Sequence, residues 1–240
     1  MTCYVGVAGW AIPTPLAGRF AAGGSHLERY ASRFNAVEIN SSFYRPHRRS
    51  TYARWAASVP DAFRFAVKLP KAITHAHRLV DCGDLLGRFA DEVAGLDTKR
   101  GPLLVQLPPS LAFDSTVARA FFDEVRKTLA GSIVCEPRHA SWFDDGAEAL
   151  LAELKVSRVA ADPPPVAGAD EPGGARSSTY FRLHGAPRIY RSEYSDETIA
   201  RHAAVVRDLA AEGSIVWTIF DNTAAGRAPD NALALRDALG

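Results

Sequence analysis

Six short apolar runs in the sequence each end at a residue that can carry charge or form several hydrogen bonds. The residues at these ends are Glu38, Lys68, Gln106, Glu136, Asp162 and the pair Arg182 and His184. If the runs are parallel strands, their carboxyl ends meet at one end of a sheet and bring these side chains together. Carboxylates and imidazoles transfer protons, whereas guanidinium and ammonium groups bind phosphate or carboxylate. The pattern therefore predicts a polar site for an anionic substrate.

Three of these residues are candidates for proton transfer. Glu38 and Glu136 could act as general acid or base if burial and neighbouring charges bring their pKa values towards neutrality. His184 is of the residue type that titrates near neutral pH. We therefore assign catalytic roles to all three. The structural alternative is a buried network of ion pairs, but each ion withdrawn from water costs on the order of several kcal/mol, which makes such a network unfavourable as architecture alone.

Other residues near the same strand ends could hold the substrate. The segment 135–139 (CEPRH) places a guanidinium and an imidazole directly after a carboxylate, as suits an anion that exchanges a proton. Trp142 could stack on a sugar or base, although packing is its usual role. The predicted substrate-binding residues are Asn40, Tyr44, Lys68, Gln106, Arg138, His139, Trp142, Asp162, Arg182 and Asn222.

Positive charge is concentrated in residues 40–80, although the whole chain has a formal net charge of only +1. The window contains eight Lys or Arg residues and one acid, Asp61, which gives it a formal charge of +7. A local basic patch attracts anions even on a nearly neutral protein. The sequence thus predicts an anionic small molecule or a nucleic acid as partner. A solvated basic surface without a partner is the alternative.

Strand and helix patterns alternate through the whole length, which predicts a single (β/α)8 TIM barrel over residues 1–240. Residues 163–178 are rich in Pro and Gly, so we expect this loop to replace the helix between strands 6 and 7. Period-2 alternation places Glu38 on the face of Ala36, and Arg158, Ala160 and Asp162 opposite Val159. If bulky residues meet outer helices, Val159 faces outward, and Glu38, Arg158, Ala160 and Asp162 point inward. The predicted strands are Tyr4–Gly9, Ala36–Ile39, Phe63–Lys68, Leu103–Gln106, Ile133–Glu136, Ser157–Ala161, Tyr180–Leu183 and Ile215–Phe220.

Several classes of protein are disfavoured. No run approaches the roughly 18 apolar residues of a membrane span, and residues 1–20 lack the pattern of a secretory signal, so we expect a cytoplasmic protein without a membrane partner. The three cysteines form no C-x-x-C pair, which favours neither disulfides nor structural zinc. Phosphate-loop, dinucleotide-binding and H-E-x-x-H motifs are missing, so we predict neither a cofactor nor a metal centre. The sequence predicts no particular oligomeric state.

Six blocks along the chain resemble the YecE-like family of unknown function. They are VAGW (7–10), EINSSFY (38–44), FAVK (65–68), QLPP (106–109), EPRHASW (136–142) and YFRLHG (180–185). The resemblance implies a TIM barrel related in shape to xylose isomerases and apurinic endonucleases, and it implies no established reaction. The family's usual Asn-Asn after the last strand is Asp221-Asn222 here. This difference would turn a neutral hydrogen bond into a charged, pH-dependent contact.

Three functions fit these observations. The first is an enzyme, a hydrolase or lyase, that acts on a phosphate-bearing substrate such as a nucleic acid. The second is a carbohydrate-active enzyme with Glu38 and Glu136 as paired carboxylates, which a salt bridge to either acid would argue against. The third is a module that binds an anion without turnover.

Overall fold

The fold of the computed structural model, which describes residues 2–176 and 178–240, is mixed α/β. The strands are β1 (Cys3–Val7), β2 (Ala36–Ile39), β3 (Arg64–Lys68), β4 (Arg100–Gln106), β5 (Ile133–Glu136), β6 (Val156–Arg158), β7 (Ala160–Asp162), β8 (Gly173–Gly174), β9 (Ser178–Leu183) and β10 (Ile215–Phe220). The α-helices are α1 (His26–Ala31), α2 (Arg49–Ala57), α3 (Gly83–Val93), α4 (Ser115–Thr128), α5 (Asp145–Glu153), α6 (Asp196–Ala211) and α7 (Ala228–Leu239). None of the helices in these two ranges is both long and apolar enough to cross a membrane.

The strands form two sheets. The four-stranded sheet has the order β1-β10-β9-β7, and the six-stranded sheet has the order β2-β3-β4-β5-β6-β8. The pairing is parallel throughout except between β6 and β8. An isolated parallel bridge between Ala8 and Glu38 connects the first strand to the second. Because the main strands run in one direction, their carboxyl ends lie at the same end of the fold.

Polar side chains cap the amino ends of three helices. Ser25 and Glu28 form a reciprocal capping box at α1, in which each side chain accepts a hydrogen bond from the other's backbone N–H. Asp114 caps α4, and Ser195 caps α6. These polar caps satisfy N–H groups that have no partner inside the helix.

One face of the sheets packs strand against strand, whereas the other packs against helices. The helix-free face carries Ala36, Ala66, Leu104, Val134, Val159, Tyr180, Trp217 and Ile219. Val37, Phe65 and Cys135 point the other way, into the core shared with the helices. Glu38, Lys68, Glu136 and Arg182 follow by period two on the helix-free face. The predicted parity is therefore confirmed for these strands.

The predicted sixth strand, Ser157–Ala161, is divided into β6 and β7. Its residues alternate as predicted, but they face the opposite sides from those predicted. Val159 packs on the helix-free face, while Ala160 packs against Phe181 and α6 on the opposite face. Arg158 also points to the helix side, where its guanidinium pairs with Glu148 of α5. The sequence Arg-Val-Ala-Ala-Asp contains a single bulky apolar residue, and the neighbouring alanines fit either face. Asp162 consequently lies on the helix side of the sheet.

The Pro/Gly-rich segment contains no helix in its described residues. Gly173–Gly174 pairs antiparallel with β6, a strand that the sequence analysis did not predict. A cavity of about 480 Å³ lies between this segment and α6, and Asp162 and Phe181 contribute to its wall.

Candidate functional site

Arg182 lies at the centre of the polar cluster at the strand ends. Its side chain is fully buried and donates to three carboxylates. Nε and Nη2 donate to Oε2 and Oε1 of Glu38 at 3.0 and 2.8 Å, Nη1 donates to Oε2 of Glu136 at 2.7 Å, and Nη2 also donates to Oδ2 of Asp221 at 2.9 Å. Burial opposes the charged form, but the three carboxylates outweigh it and raise the pKa of Arg182 well above its ordinary value.

Glu38 is enclosed within this cluster. Its side chain has no exposed surface, and Oε2 accepts a further hydrogen bond of 2.9 Å from the Tyr180 hydroxyl. Both carboxylate oxygens are therefore occupied by residues of the protein itself. No surface of Glu38 is left for a substrate atom to touch in this arrangement, which argues against the expected catalytic role.

His184 bridges two carboxylates. Its Nδ1 lies 3.1 Å from Asp221 Oδ2, and its Nε2 lies 3.1 Å from Glu136 Oε1. Ionised carboxylates only accept hydrogen bonds, so both ring nitrogens must carry a proton to make both contacts. Burial disfavours this imidazolium form, but the hydrogen bonds to Asp221 and Glu136 outweigh burial and raise the pKa of His184.

Glu136 accepts from three cations. Besides Arg182 and His184, Nη2 of Arg138 donates to Oε1 at 3.1 Å. Burial alone would raise its pKa, but these positive neighbours hold the pKa of Glu136 well below its usual range. A carboxylate held this way is a poor proton acceptor at neutral pH. Arg182 therefore occupies both glutamates, and this arrangement argues against paired carboxylates of a carbohydrate-active enzyme.

Lys68 is the cation that remains without a counter-charge. Its side chain is 5% exposed, and its Nζ lies 4.2 Å from the centre of the Phe43 ring. Over both described ranges, Nζ has no hydrogen bond and no carboxylate within 4.0 Å. Burial and then the charge of Arg182 lower the pKa of Lys68 to about 8, against the opposing effect of the carboxylates.

The charges elsewhere in the cluster cancel. We define the strand-end network as Glu38, Glu136, Asp221, Arg138, Arg182 and His184, which are joined by the ion pairs described above. Its three carboxylates are matched by two guanidinium groups and one imidazolium. Lys68 thus adds a surplus positive charge beside a neutral network.

Of the other predicted site residues, several lie at the edge of the network. Arg138 is 25% exposed and reaches the Tyr190 hydroxyl at 3.4 Å. Gln106 pairs with Glu136 across the sheet, and its side-chain amide forms no hydrogen bond to any described residue. Asn40 follows β2, and its Oδ1 is buried with no partner within the residues described. Tyr44 is 75% exposed on the loop after β2.

Four other predicted binding residues either make contacts within the fold or lie outside the strand-end network. Trp142 is 1% exposed, and its indole N–H donates to the Leu111 carbonyl, so its ring is part of the core. The Nδ1 atom of His139 accepts from the Ser141 backbone N–H and caps a short 3-10 turn. The Asn222 amide donates to Asn231 Oδ1 at 2.9 Å and joins the last strand to α7. Asp162 is on the helix side for the reason given above, so the network lacks it.

Three members of the site were not among the predicted site residues, although Asp221 was noted as a departure from the family's pattern. Tyr180 holds Glu38, Asp221 accepts from Arg182 and His184, and His75 lies close enough to Lys68 and Arg138 for their charges to lower its pKa, after burial. Asp221 and Tyr180 both follow the parity of their strands and could have been found from it. His75 could not, because it lies in a π-helical turn after β3 that has no sequence signature.

Part of the basic segment 40–80 forms an exposed surface, whereas its strand β3 is largely buried. Arg45, Arg48 and Lys71 are exposed, and none of them makes an ion pair with another residue in the described part of the chain. A cavity of about 660 Å³ adjoins this surface, with Phe43 in its wall and Arg45 and Lys71 among its charged residues. Phe43 therefore contacts both the cavity and the Lys68 ammonium. Within residues 2–176 and 178–240, no group of three His, Cys, Asp or Glu side chains has an arrangement suited to a metal ion.

The sequence matches one family model almost from end to end. Residues 4–240 match the model described as "Protein of unknown function DUF72". The chain belongs to the DUF72 family. Among curated relatives of this DUF72 protein, the UPF0759 protein YecE of Escherichia coli K12 is 30% identical over 169 residues, which cover 68% of this chain and 60% of YecE. The match thus spans less than two thirds of YecE. The UPF0759 protein YunF of Bacillus subtilis 168 is 23% identical and covers 98% of this chain and 94% of YunF.

Solved structures share the fold of this DUF72 protein. A DUF72 family protein from Enterococcus faecalis V583 superposes with a TM-score of 0.84 at 22% identity and covers 99% of this chain and 95% of that chain. One from Thermotoga maritima MSB8 gives 0.81 at 21% identity, with 100% and 99% coverage. A xylose isomerase-like TIM barrel/4-hydroxyphenylpyruvate dioxygenase fusion protein gives 0.55 at 16% identity and covers 100% of this chain and 42% of the fusion. The predicted family and its relation in shape to xylose isomerases are thereby confirmed.

Proposed function

We propose that this DUF72 protein is an enzyme that binds a small phosphate-bearing substrate at the strand ends and acts on it there. The observation that carries the proposal is Lys68, a buried ammonium with no counter-charge beside a neutral network. A buried cation is unfavourable unless an anion pairs with it. The site therefore lacks one negative charge, which a bound phosphate or carboxylate would supply.

The substrate side of the site consists of Lys68, Arg138 and His184. Each retains some exposed surface, whereas Glu38 and Arg182 have none. Arg138 and Lys68 would bind the anion, and His184, whose two N–H groups donate to Asp221 and Glu136, would add positive charge beside it. Glu38, Glu136 and Arg182 are then positioning residues, which hold the substrate-side residues in place.

The same proposal includes closure of the two sheets into one (β/α)8 barrel. Two features support it besides the likeness to TIM barrels. The bridge between Ala8 and Glu38 connects the two sheets at one seam, and the Val159 backbone N–H, between β6 and β7, donates to Cys135 of β5 at the other. The helix-free cluster draws residues from both sheets, as the interior of a barrel does.

The exposed basic surface supports a nucleic acid as one form of the substrate. Arg45 and Arg48 follow the 75% exposed Tyr44 along the same loop, and exposed cations together with an exposed aromatic ring suit a phosphate backbone with stacked bases. Binding of a small phosphate ester requires only the residues around Lys68 and Arg138. The salt dependence of binding separates the two forms, because binding along a phosphate backbone releases many counterions.

The test is a pull-down from metabolite and oligonucleotide pools with the full chain as bait, followed by mass spectrometry. The wild type is compared with an Arg138→Ala/Lys68→Met double variant, because Arg182 holds the fold and is unsuitable as a probe. We expect phosphate-bearing molecules that the wild type enriches and the double variant loses. Equal enrichment by both proteins would contradict the proposal. Incubation of an enriched molecule with the wild type then separates turnover from binding alone, since a binding module leaves it unchanged.

A further inference from the structure

The Lys68 amine is placed for chemistry as well as for binding. Three side-chain atoms of other residues, Asn40 Oδ1, Tyr52 OH and Asn222 Oδ1, are fully enclosed without a hydrogen bond to the described residues. Lys68 Nζ also lacks such a bond, yet it is not fully enclosed, and the residue keeps 5% of its surface. Solvent can therefore still reach the unpaired amine.

We propose that Lys68 forms an imine with a small aldehyde or ketone that carries a phosphate or carboxylate group. This inference rests on the proposed function, since it uses the same site and the same class of anion, and it adds the reacting group of the substrate. The neighbours of Lys68 are Phe43 beneath the amine, the Arg182 cation, the His75 imidazole, and the acids Glu38, Glu136 and Asp221.

The step conserves atoms and charge. The lone pair of the neutral Lys68 amine adds to the carbonyl carbon, and the nitrogen then forms a double bond to that carbon. The carbonyl oxygen leaves as water with the two amine hydrogens, and a proton from solvent converts the imine into an iminium ion. No oxidant or reductant takes part.

The environment suits both the neutral amine of Lys68 and the positively charged iminium that it forms. Burial and the charge of Arg182 keep the pKa of Lys68 at about 8, so roughly one molecule in ten has a neutral, nucleophilic amine at pH 7. An ordinary lysine with a pKa near 10.5 has only about one in three thousand. Desolvation beside another cation is a known means of activating a lysine amine. The iminium product restores the positive charge that the Phe43 ring and the carboxylates stabilise.

The chain contains few competing amines, which makes the site easy to identify. Its lysines are Lys68, Lys71, Lys99, Lys127 and Lys155. Lys71 follows Lys68 by three residues and is exposed. It is therefore a matched control for a labelling experiment, because it experiences the same basic segment without burial.

The experiment traps the imine by reduction. The full chain is incubated with glycolaldehyde phosphate, glyoxylate or neutral glycolaldehyde in the presence of cyanoborohydride, and adducts are located by peptide mass spectrometry. We expect Lys68 to be labelled at least 10-fold faster than Lys71 by the two anionic carbonyls, with a half-maximal rate near pH 8, and about 10-fold more slowly by glycolaldehyde. The variant Lys68→Arg, which keeps the charge and cannot form an imine, should lose this adduct and still bind inorganic phosphate.

Labelling of Lys71 and the other exposed lysines with none at Lys68 would overturn the inference. If the wild type binds inorganic phosphate in the same samples, that result removes only the imine and leaves the anion site in place. If the wild type binds no phosphate, the proposed function itself fails. Equal labelling of Lys68 by glycolaldehyde and its phosphate would also contradict the inference, because it requires recognition of the anion.

Discussion

The guanidinium of Arg182 and the carboxylate of Glu38 form a two-point contact, with nitrogen-to-oxygen distances of 3.0 and 2.8 Å, and neither side chain has exposed surface. Such a pair is held in one geometry, unlike a flexible ion pair at a surface. Arg182 also binds two further carboxylates. The strand-end network thus depends on one residue.

Loss of Arg182 should destabilise the fold strongly. In Arg182→Met, three carboxylates lose their shared cation, and unpaired buried charges of this kind cost about 3–5 kcal/mol. We expect a decrease of that size in the free energy of unfolding, measured with urea. The control is Arg201→Met, which breaks an exposed pair with Glu197 and should change stability by less than about 1 kcal/mol. A decrease below 1 kcal/mol in Arg182→Met would show that the network is not the centre of the site.

Lys68→Met should stabilise the protein. The folded state lowers the pKa of Lys68 from 10.5 to about 8, so below pH 8 the fold holds a buried charge that the unfolded chain keeps in water. The unfolding free energy of the variant at pH 7 should therefore exceed that of the wild type by about 1–3 kcal/mol. The gain should shrink as the pH rises from 8 towards 10.5, where the wild-type amine loses its proton. Lys71→Met, at an exposed position, should change little, and a loss of stability in Lys68→Met would contradict the account.

Asp221→Asn, which restores the family's usual residue, should lower the pKa of His184. An amide that accepts from Nδ1 lacks the negative charge that favours the imidazolium. The stability from His184 is present below its unfolded pKa of about 6.5 and is lost as the pH rises through its higher folded pKa. In the variant this loss should be smaller and should end at lower pH. The imidazole signals in NMR follow the change directly, with the buried His202, whose pKa of about 4 comes from burial alone, as control.

The decrease in the free energy of unfolding at low pH, the acid limb of the stability profile, should depend on Glu136. Its pKa in the fold lies well below the usual value, so its contribution is present above the unfolded pKa of about 4.3 and is lost as the pH falls through the folded pKa. We expect the wild type to lose stability steadily below pH 4, and Glu136→Gln to be less stable at pH 7 with a shallower acid limb. Parallel acid limbs in the two proteins would contradict a lowered pKa. Unfolding monitored by circular dichroism from pH 2 to pH 8 measures both.

The basic surface gives a separate prediction for nucleic acid. If single-stranded DNA binds along Arg45 and Arg48, their replacement by alanine should reduce the slope of log affinity against log salt by about 1.4, since each phosphate contact on a single strand contributes about 0.7. Fluorescence anisotropy measures the slope. An exposed arginine away from this surface, Arg201, provides the matched substitution. No salt-sensitive binding in the wild type would restrict the substrate to small molecules.

Much of this site follows from strand parity. Glu38, Glu136, Lys68 and Arg182 lie on the predicted face because bulky and small residues alternate clearly in their strands. The sixth strand misleads for the opposite reason, since adjacent alanines leave the face of Asp162 undefined.

The role of each group could not be predicted in the same way. One sequence shows that Glu38 and Arg182 share an end of the fold, but which atoms meet depends on side-chain geometry across 144 residues. Sequence reasoning therefore gave Glu38 and Glu136 the catalytic roles. The structure encloses Glu38 and surrounds Glu136 with cations, so that Lys68 and Arg138 are the groups with unpaired charge or exposed surface beside them.

The most direct test of the account is a titration of inorganic phosphate observed at the His184 imidazole by NMR, in the wild type and in Lys68→Met. Phosphate that pairs with the surplus charge of Lys68 should shift the His184 signals saturably in the wild type. The affinity for phosphate should be at least 10-fold weaker in the variant, and the His202 signals should remain unchanged. Absence of a saturable shift in the folded wild type, or equal affinity in Lys68→Met, would contradict the claim that the strand ends hold an anion site built on Lys68.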